Sequence, residues 1–248
     1  MHKYDANFYQ YINSGATRSA GIILPLLTQH LSIHSVIDFG CGQGAWLAAW
    51  RSHGATKTIG IDGPYVDQDS LLIDKSNFWP HDLAQPIDLE QKFDLVQSLE
   101  VAEHLHKQVA RDFIASLVRH GDLILFSAAV PGQGGENHIN EQPYEFWRLL
   151  FAEKGYVPID AIRPYIYRDI SVEPWYRYNS ILYVNKTIVE QQTNELKQRI
   201  IGDDSRIPDY SPPLYKLRKN ILRLFPVKLY TLFAKLKKNY YVLANRNS

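Results

Sequence analysis

One stretch of the sequence decides the fold: Val36-Ile37-Asp38-Phe39-Gly40-Cys41-Gly42-Gln43-Gly44. It begins with the β-branched residues of a short strand, ends in three closely spaced glycines, and is followed by helix formers from Ala45 to Trp50. Glycine is needed where a tight turn requires a positive φ or where a ligand approaches the backbone closely. The stretch therefore predicts a strand, a glycine turn and a helix, with a ligand near the start of the helix.

Further strands and helices alternate along the chain. An apolar helical pattern over 16–31 precedes the first strand, and Pro25 inside it predicts a kink or a late start. The remaining segments predict strands near 57–61, 77–79, 93–97, 122–127, 156–162 and 180–184, with helices over 108–118 and 144–154. Such alternation predicts an α/β fold with a mostly parallel sheet and helices on both faces. In such a sheet the ligand crevice lies beyond the carboxyl ends of the strands.

The charge distribution predicts one domain followed by a basic tail. The chain has 248 residues, 45% of them hydrophobic and 21% charged, as in ordinary globular proteins. Its net charge is +1, but no acidic residue follows Asp209 while nine lysines and arginines do, so the preceding residues carry −8. We place a catalytic domain at 1–190, with an N-terminal cap and helix at 1–34, and a helical tail at 191–248.

Two basic amphipathic stretches form this tail, with Pro226 between them. Their apolar residues recur at spacings of three and four, at Leu214, Leu217, Ile221 and Leu224 and then at Leu229, Leu232, Phe233, Leu236 and Tyr240. Such helices dock on the domain, bind a protein partner or contact an anionic membrane peripherally, and nucleic acid is the less favoured partner. Without a recognisable signal segment, and with Cys41 as the single cysteine, the expected location is cytoplasmic, with peripheral membrane contact as the variant.

Three acids accompany the predicted strands. Asp38 directly precedes the glycine turn, where a carboxylate receives an ammonium group but repels a pyrophosphate. Asp62, after the second strand, suits ribose hydroxyls, and Asp82, after the third, suits an adenine amino group. The spacing Gly40-x-Gly42-x-x-Ala45 with Asp62 also satisfies a relaxed dinucleotide pattern, so an NAD(P)-dependent oxidoreductase stays open as the alternative.

The stretch from Val36 to Gly44 resembles motif I of the class I S-adenosylmethionine (SAM)-dependent methyltransferases. The resemblance extends over roughly 16–184. It implies a Rossmann-like, seven-stranded sheet with an antiparallel last strand, and SAM as the cofactor. It also implies cofactor-binding roles for Arg18, Asp38, Gly40, Gly42, Gly44, Asp62, Asp82 and Leu99.

The segment Glu100-Val101-Ala102-Glu103-His104 follows the fourth predicted strand. If a helix begins there, Glu100, Glu103 and His104 share one face. Two carboxylates and an imidazole suit Mg²⁺, Mn²⁺ or Zn²⁺, and His138 is the candidate fourth ligand. The segment resembles the Glu-x-x-Glu-His motif of ubiquinone-biosynthesis O-methyltransferases and small-RNA 2′-O-methyltransferases, in which a metal can position substrate oxygens. The alternative is His104 as a metal-free general base, because imidazole titrates near working pH.

A glycine-rich polar loop over 130–142 follows the fifth strand and predicts a substrate lid, with His138 or Glu141 contacting the acceptor. Together these features predict a SAM-dependent methyltransferase, acting on a hydroxyl of a small molecule or sugar, with or without a metal. Besides the oxidoreductase, a degenerate methyltransferase fold that serves as a binding module is the remaining alternative. No residue specifies the acceptor.

Overall fold

The computed structural model describes residues 6–224, and the side chains from residue 12 onward. Seven strands are present: β1 (Ser35–Phe39), β2 (Lys57–Asp62), β3 (Phe78–Pro80), β4 (Leu95–Leu99), β5 (Leu123–Ser127), β6 (Tyr156–Ile159) and β7 (Ile181–Asn185). The α-helices are α1 (Ala6–Thr28), α2 (Ala45–Ser52), α3 (Ala110–Arg119), α4 (Tyr144–Ala152), α5 (Arg163–Ile166), α6 (Pro174–Asn179), α7 (Asn194–Lys197) and α8 (Pro213–Leu222).

The strands form one sheet in the order β3-β2-β1-β4-β5-β7-β6. The first five strands in this order are parallel, and β7 is antiparallel to both of its neighbours. This arrangement confirms the predicted α/β fold, its seven strands and its antiparallel last strand. Because β1, β2, β4 and β5 point the same way, the residues that follow them meet at one edge of the sheet.

Apolar side chains cover both faces of the sheet, as the alternation of a strand requires. Val36 and Leu95 point to one face, where they join a buried cluster with residues of α1 and α2. Ile37 and Val96 point to the other face, towards buried residues of α3 and α4. The helices therefore enclose the sheet, and the strand ends remain the place for polar groups.

Helix α1 corrects the expectation of a late start, since it begins at Ala6 and runs through Pro25 to Thr28. Its early turns reach the glycine turn, because the Asn13 side-chain amide donates to the Gln43 side chain at 2.6 Å. The contact explains why the helix extends beyond the apolar pattern that predicted it.

The residues beyond position 190 continue to pack on the sheet and its helices. Ile200 pairs with Ile159 beside β6. Arg148 of α4 donates to the Gly202 carbonyl at 2.6 Å and also bonds to the Ser205 carbonyl. The first predicted tail helix is present as α8, while the second, over 229–240, lies outside the described residues. Within residues 6–224, no helix is both long and apolar enough to cross a bilayer.

Gly40 fixes the distance between the glycine turn and the segment after β4. It adopts φ +88°, and a Cβ built on it would lie 2.3 Å from Val101 Cγ2. A side chain here therefore meets two penalties, a left-handed backbone and a steric overlap. The two segments are thus in contact through a position that only glycine fits.

We expect Gly40→Ala to lower the free energy of unfolding by roughly 2–4 kcal/mol. Gly54→Ala is the matched control, since Gly54 has φ +99° but open space around its Cβ position. It should cost only about 1 kcal/mol, the price of the backbone conformation alone. Urea unfolding of both variants checks the prediction, and equal losses would contradict it.

Candidate active site

The glycine turn leaves an open concave stretch of backbone at its centre. Gly42 has φ +54°, and nothing lies within 4 Å of the position its Cβ would occupy. Gly44, at the start of α2, has φ +86° and packs against Ile73. The turn is therefore closed by packing at its ends and accessible in the middle, where a ligand can approach the main chain.

Asp38 lies at the end of β1, 3% exposed, and is held by a chain of hydrogen bonds. The Gln97 side chain donates to Asp38 Oδ2 at 3.0 Å, and the Trp50 indole donates to Gln97 Oε1 at 2.9 Å. The pKa of Asp38 is raised to about 8, mainly by burial. The Gln97 hydrogen bond lowers this pKa, and the Asp62 carboxylate raises it. The side chain is thus oriented for a cationic group, which would stabilise its ionised form.

Asp62 ends β2 and joins it to the glycine turn. One oxygen accepts from the Gly42 amide at 2.7 Å, and the other accepts from the Gly63 amide and the Tyr65 hydroxyl. Burial raises the pKa of Asp62, against the lowering effect of these hydrogen bonds. Asp62 is therefore both a brace for the turn and a carboxylate at the predicted ribose position.

The other predicted cofactor residues occupy three different surroundings. Leu99 is buried at the end of β4 and provides an apolar wall. Asp82 is exposed after β3, where its carboxylate accepts from the Ala84 amide at 3.0 Å. Arg18 is half exposed, and its guanidinium pairs with Glu173 at 2.6 Å and donates to the Ser171 carbonyl. A role for Arg18 at a cofactor carboxylate would compete with the Glu173 pair.

Glu100 corrects the prediction of one helical face. It adopts φ +58°, so no helix begins there, and only a short 3-10 turn follows at Ala102–His104. Its carboxylate oxygens accept from the Gln133 and Asn179 side-chain amides, at 2.7 and 3.1 Å. Glu100 therefore does not share a helical face with Glu103 and His104, and it lies outside the group of ligand atoms within 4.8 Å of one another, although its carboxylate is close enough to raise the pKa of Glu103.

Glu103, His104 and His138 do come together, with one potential ligand atom from each within 4.8 Å of the others. Glu103 is fully buried, and neither carboxylate oxygen makes a hydrogen bond of ordinary length and angle. Burial raises the pKa of Glu103 well above its usual value, and the Glu100 carboxylate raises it further. A proton or a cation must therefore neutralise this carboxylate.

Both imidazoles are oriented by an acceptor at Nδ1. His104 Nδ1 lies 3.2 Å from the Asn137 carbonyl, and His138 Nδ1 lies 3.0 Å from the Glu141 carboxylate. Since a carbonyl and an ionised carboxylate only accept, the two Nδ1 atoms carry the protons. Each Nε2 then has a free lone pair, the arrangement typical of metal-ligating histidines.

Glu141 holds the loop together, and its predicted contact with an acceptor stays a prediction. Its two oxygens accept from the amides of Gly132 and Gly134, both at 2.7 Å, and one also accepts from His138. The loop is also fixed to the short turn, because Ile139 and Asn140 donate to the Glu103 carbonyl. Glu141 is thus a positioning residue for His138.

His104 does not titrate near neutral pH. Burial and, to a smaller extent, His138 lower the pKa of His104 to about 3, while the hydrogen bond to the Asn137 carbonyl opposes the shift. The lowered pKa favours the neutral ring, the form that both a metal ligand and a general base require. The metal-free role of His104 therefore stays a prediction beside the metal-ligating one.

Several site residues were not found from the sequence. Gln97 and Trp50 hold Asp38, and Gln133 and Asn179 hold Glu100. Gln97 did carry a signal, because it is a polar residue inside an otherwise apolar strand. Gln133 and Asn179 carried none, since their contact with Glu100 spans 33 and 79 positions.

This sheet topology, with a glycine turn after β1 and an acid at the end of β2, defines the class I methyltransferase fold. The sequence profile of a methyltransferase domain family matches residues 11–161. The chain therefore belongs to this family, the class I SAM-dependent methyltransferases. No curated protein sequence shows significant similarity to it.

Two solved structures illustrate the likeness of fold. The sugar N-methyltransferase KedS8 from Streptoalloteichus sp ATCC 53650 has a TM-score of 0.55 and 15% identity, over 75% of this chain and 96% of that one. The magnesium protoporphyrin IX methyltransferase from Synechocystis PCC 6803, with bound SAM, has a TM-score of 0.50 and 20% identity, over 74% and 86%. At such identities the likeness concerns the fold alone. The family match excludes the oxidoreductase interpretation of the glycine turn.

Asp38 predicts a specific pH dependence of stability. The pKa is raised from 3.8 to about 8, so between these values the folded protein retains a proton that the unfolded chain has lost. The contribution of Asp38 to the free energy of unfolding is therefore largest below pH 3.8 and falls as the pH rises towards about 8. The advantage of Asp38→Asn over the wild type should grow by about 1–3 kcal/mol between pH 5 and 8.

Urea unfolding across this pH range measures the effect. Asp74→Asn is the control, because hydrogen bonds from Ser76 lower the pKa of the exposed Asp74, so it stays ionised throughout the range. Its difference from the wild type should not vary with pH. An Asp38→Asn difference that is equally flat would contradict the prediction.

Proposed function

We propose that the protein transfers the methyl group of SAM to a hydroxyl of a small-molecule or sugar acceptor, with a divalent cation held by Glu103, His104 and His138. The observation that carries the proposal is the cluster of the fully buried Glu103 carboxylate with two oriented imidazoles, His138 Nε2 lying 4.0 Å from Glu103 Oε1. This cluster follows β4, and the Gly40–Val101 contact places its segment against the glycine turn.

The residues around the glycine turn fit the donor. Asp38 offers a buried carboxylate to the ammonium end of the methionine moiety, and the open backbone at Gly42 admits it. Asp62 offers oxygens to the ribose hydroxyls after giving up its bond to Tyr65, and Leu99 borders the cofactor with an apolar surface. Bound SAM supplies an electrophilic methyl group on a sulfonium. The chain's own part is to position it and to exclude water.

The Glu103 cluster fits a cation of borderline character. Two imidazoles and one carboxylate favour Mn²⁺ or Zn²⁺ over Mg²⁺, which prefers oxygen ligands and retained waters. Glu103, His104 and His138 would hold the cation, which would supply Lewis-acid stabilisation of a deprotonated acceptor oxygen. Glu141 and the Asn137 carbonyl hold the two rings in place for this purpose.

The cluster also supports oxygen as the methylated atom. A neutral amine already has a free lone pair for attack, whereas a hydroxyl gains most from a group that stabilises its deprotonated form. The likeness to a sugar N-methyltransferase supports a sugar as one class of acceptor, while leaving the nitrogen open as the competing site.

We expect SAM to bind the full-length protein and Asp38→Asn to weaken this binding by roughly 10- to 100-fold, since the ammonium loses a buried ionic partner. Isothermal titration calorimetry measures both affinities. Asp74→Asn, which removes an exposed carboxylate elsewhere, should bind as the wild type does. Unaltered affinity in Asp38→Asn would contradict the assignment of the donor site.

The reaction itself is tested with labelled SAM and paired acceptors, one a hydroxylated sugar and one its amino-sugar counterpart. Label on the hydroxylated sugar, identified by mass, supports O-methylation. Label confined to the amino sugar would overturn it and leave the donor assignment intact.

For the metal, we expect Mn²⁺ to bind the wild type and both Glu103→Gln and His138→Ala to reduce its affinity at least about tenfold, as loss of a ligand does. Electron paramagnetic resonance of free Mn²⁺ gives the binding without an activity assay. His106→Ala, at an exposed histidine next to the cluster in sequence, is the control. Equal binding by all four proteins would remove the metal from the proposal.

A further inference from the structure

Helix α8 presents its apolar residues to solvent. Leu214 and Leu224 are 82% and 83% exposed, and Leu217 and Ile221 are about half exposed. We call these four residues the outer face of α8, although Leu224 lies two positions beyond the last residue of the helix. Their spacing of three and four places them along one side of the helix, which is the side that a surface helix ordinarily buries.

The polar side of the same helix is the side that packs on the protein. Lys219 is buried and donates to the Asp209 carboxylate at 2.8 Å. Arg218 donates to the Gln133 carbonyl at 3.0 Å, and Arg223 donates to the Pro131 carbonyl at 2.9 Å. These contacts hold α8 in an orientation that the burial of leucine alone would not choose.

The docking of α8 is also sterically specific. A Cβ on Gly132 would lie 2.1 Å from the Lys219 carbonyl oxygen, so the helix and the loop are in direct backbone contact. The Tyr215 and Tyr178 rings pack 5.3 Å apart beside it. The close contact between Gly132 and Lys219 therefore keeps the outer face pointing away from the protein. Among the described residues, none covers it. Contiguous exposed apolar residues of this kind mark an interaction surface.

Charge decides which occupant suits this surface. The same helix carries the exposed basic residues Lys216 and Arg218, Arg223 follows it, and no acidic residue follows Asp209. Beyond α8 the sequence adds further basic residues among leucines and aromatics, at Lys228, Lys235, Lys237, Lys238 and Arg246. A second copy of this surface, or the chain's own 225–248, would bring positive charge against positive charge. An anionic lipid surface complements both the apolar and the basic residues.

We propose that the outer face of α8, together with the exposed basic residues of this helix, docks the protein peripherally on an anionic lipid bilayer. The leucines enter the boundary between head groups and acyl chains, and the lysines and arginines contact the lipid phosphates. Because α8 touches 131–133, docking places the loop that carries His138 on the side of the protein next to the bilayer.

Co-sedimentation of the full-length protein with vesicles tests the proposal. We expect binding to an equimolar mixture of phosphatidylcholine and phosphatidylglycerol, little binding to phosphatidylcholine alone, and weaker binding at high salt. The double variant Leu217→Ser/Ile221→Ser should bind the mixed vesicles roughly tenfold or more weakly, because two apolar side chains no longer leave water.

The matched control is Leu149→Ser/Ile170→Ser, at two exposed apolar residues elsewhere, 63% and 89% exposed. It should bind as the wild type does, and thermal unfolding verifies that both double variants are folded. Absence of binding to the anionic vesicles, or an equal loss in the control, would overturn the proposal. So would a dimer, measured by light scattering, that Leu217→Ser/Ile221→Ser dissociates, since the occupant would then be a second copy of the chain.

Discussion

The site depends on the hydrogen-bond chain from Trp50 through Gln97 to Asp38. A carboxylate at 3% exposure is costly unless it is bonded, and this chain supplies the bond from the neighbouring strand and from the helix after the glycine turn. It ties α2, β4 and β1 together at the point where the backbone must turn sharply. The remaining cost of burial raises the pKa of Asp38 to about 8. A bound cationic group would stabilise the ionised form and lower this pKa.

A second carboxyl group is buried at a cost after the end of β4. Glu103 is buried without an ordinary hydrogen bond, while the loop after β5 brings His138 towards it and Glu141 holds that histidine. Both carboxyl groups thus lie at the carboxyl edge of the sheet, and burial raises the pKa of each. In the proposed function, Asp38 meets the methyl donor and Glu103 lies on the side of the acceptor. Burying these two groups costs stability in the free state, and a bound cationic group at either place would offset that cost.

The loop over 130–142 connects this site to the C-terminal part of the chain. Its glycines give Glu141 backbone amides to accept from, and its outer carbonyls receive Arg218 and Arg223 of α8. The loop that the sequence predicts as a substrate lid is hydrogen-bonded to Glu141 on one side and to α8 on the other. Its glycines serve close backbone contacts, with Glu141 on one side and with Lys219 at Gly132 on the other.

The sequence by itself determined the α/β fold, the succession of strands and helices along the chain and the position of the glycine turn, because these follow from local periodicity and from the backbone needs of glycine. It also named Asp38, Asp62, Glu103, His104 and His138. Only the tertiary structure decided that no helix begins at Glu100, that Glu141 holds a loop, and that α8 faces its leucines outward. Each of these depends on a left-handed residue or on contacts between distant segments, which no local pattern contains.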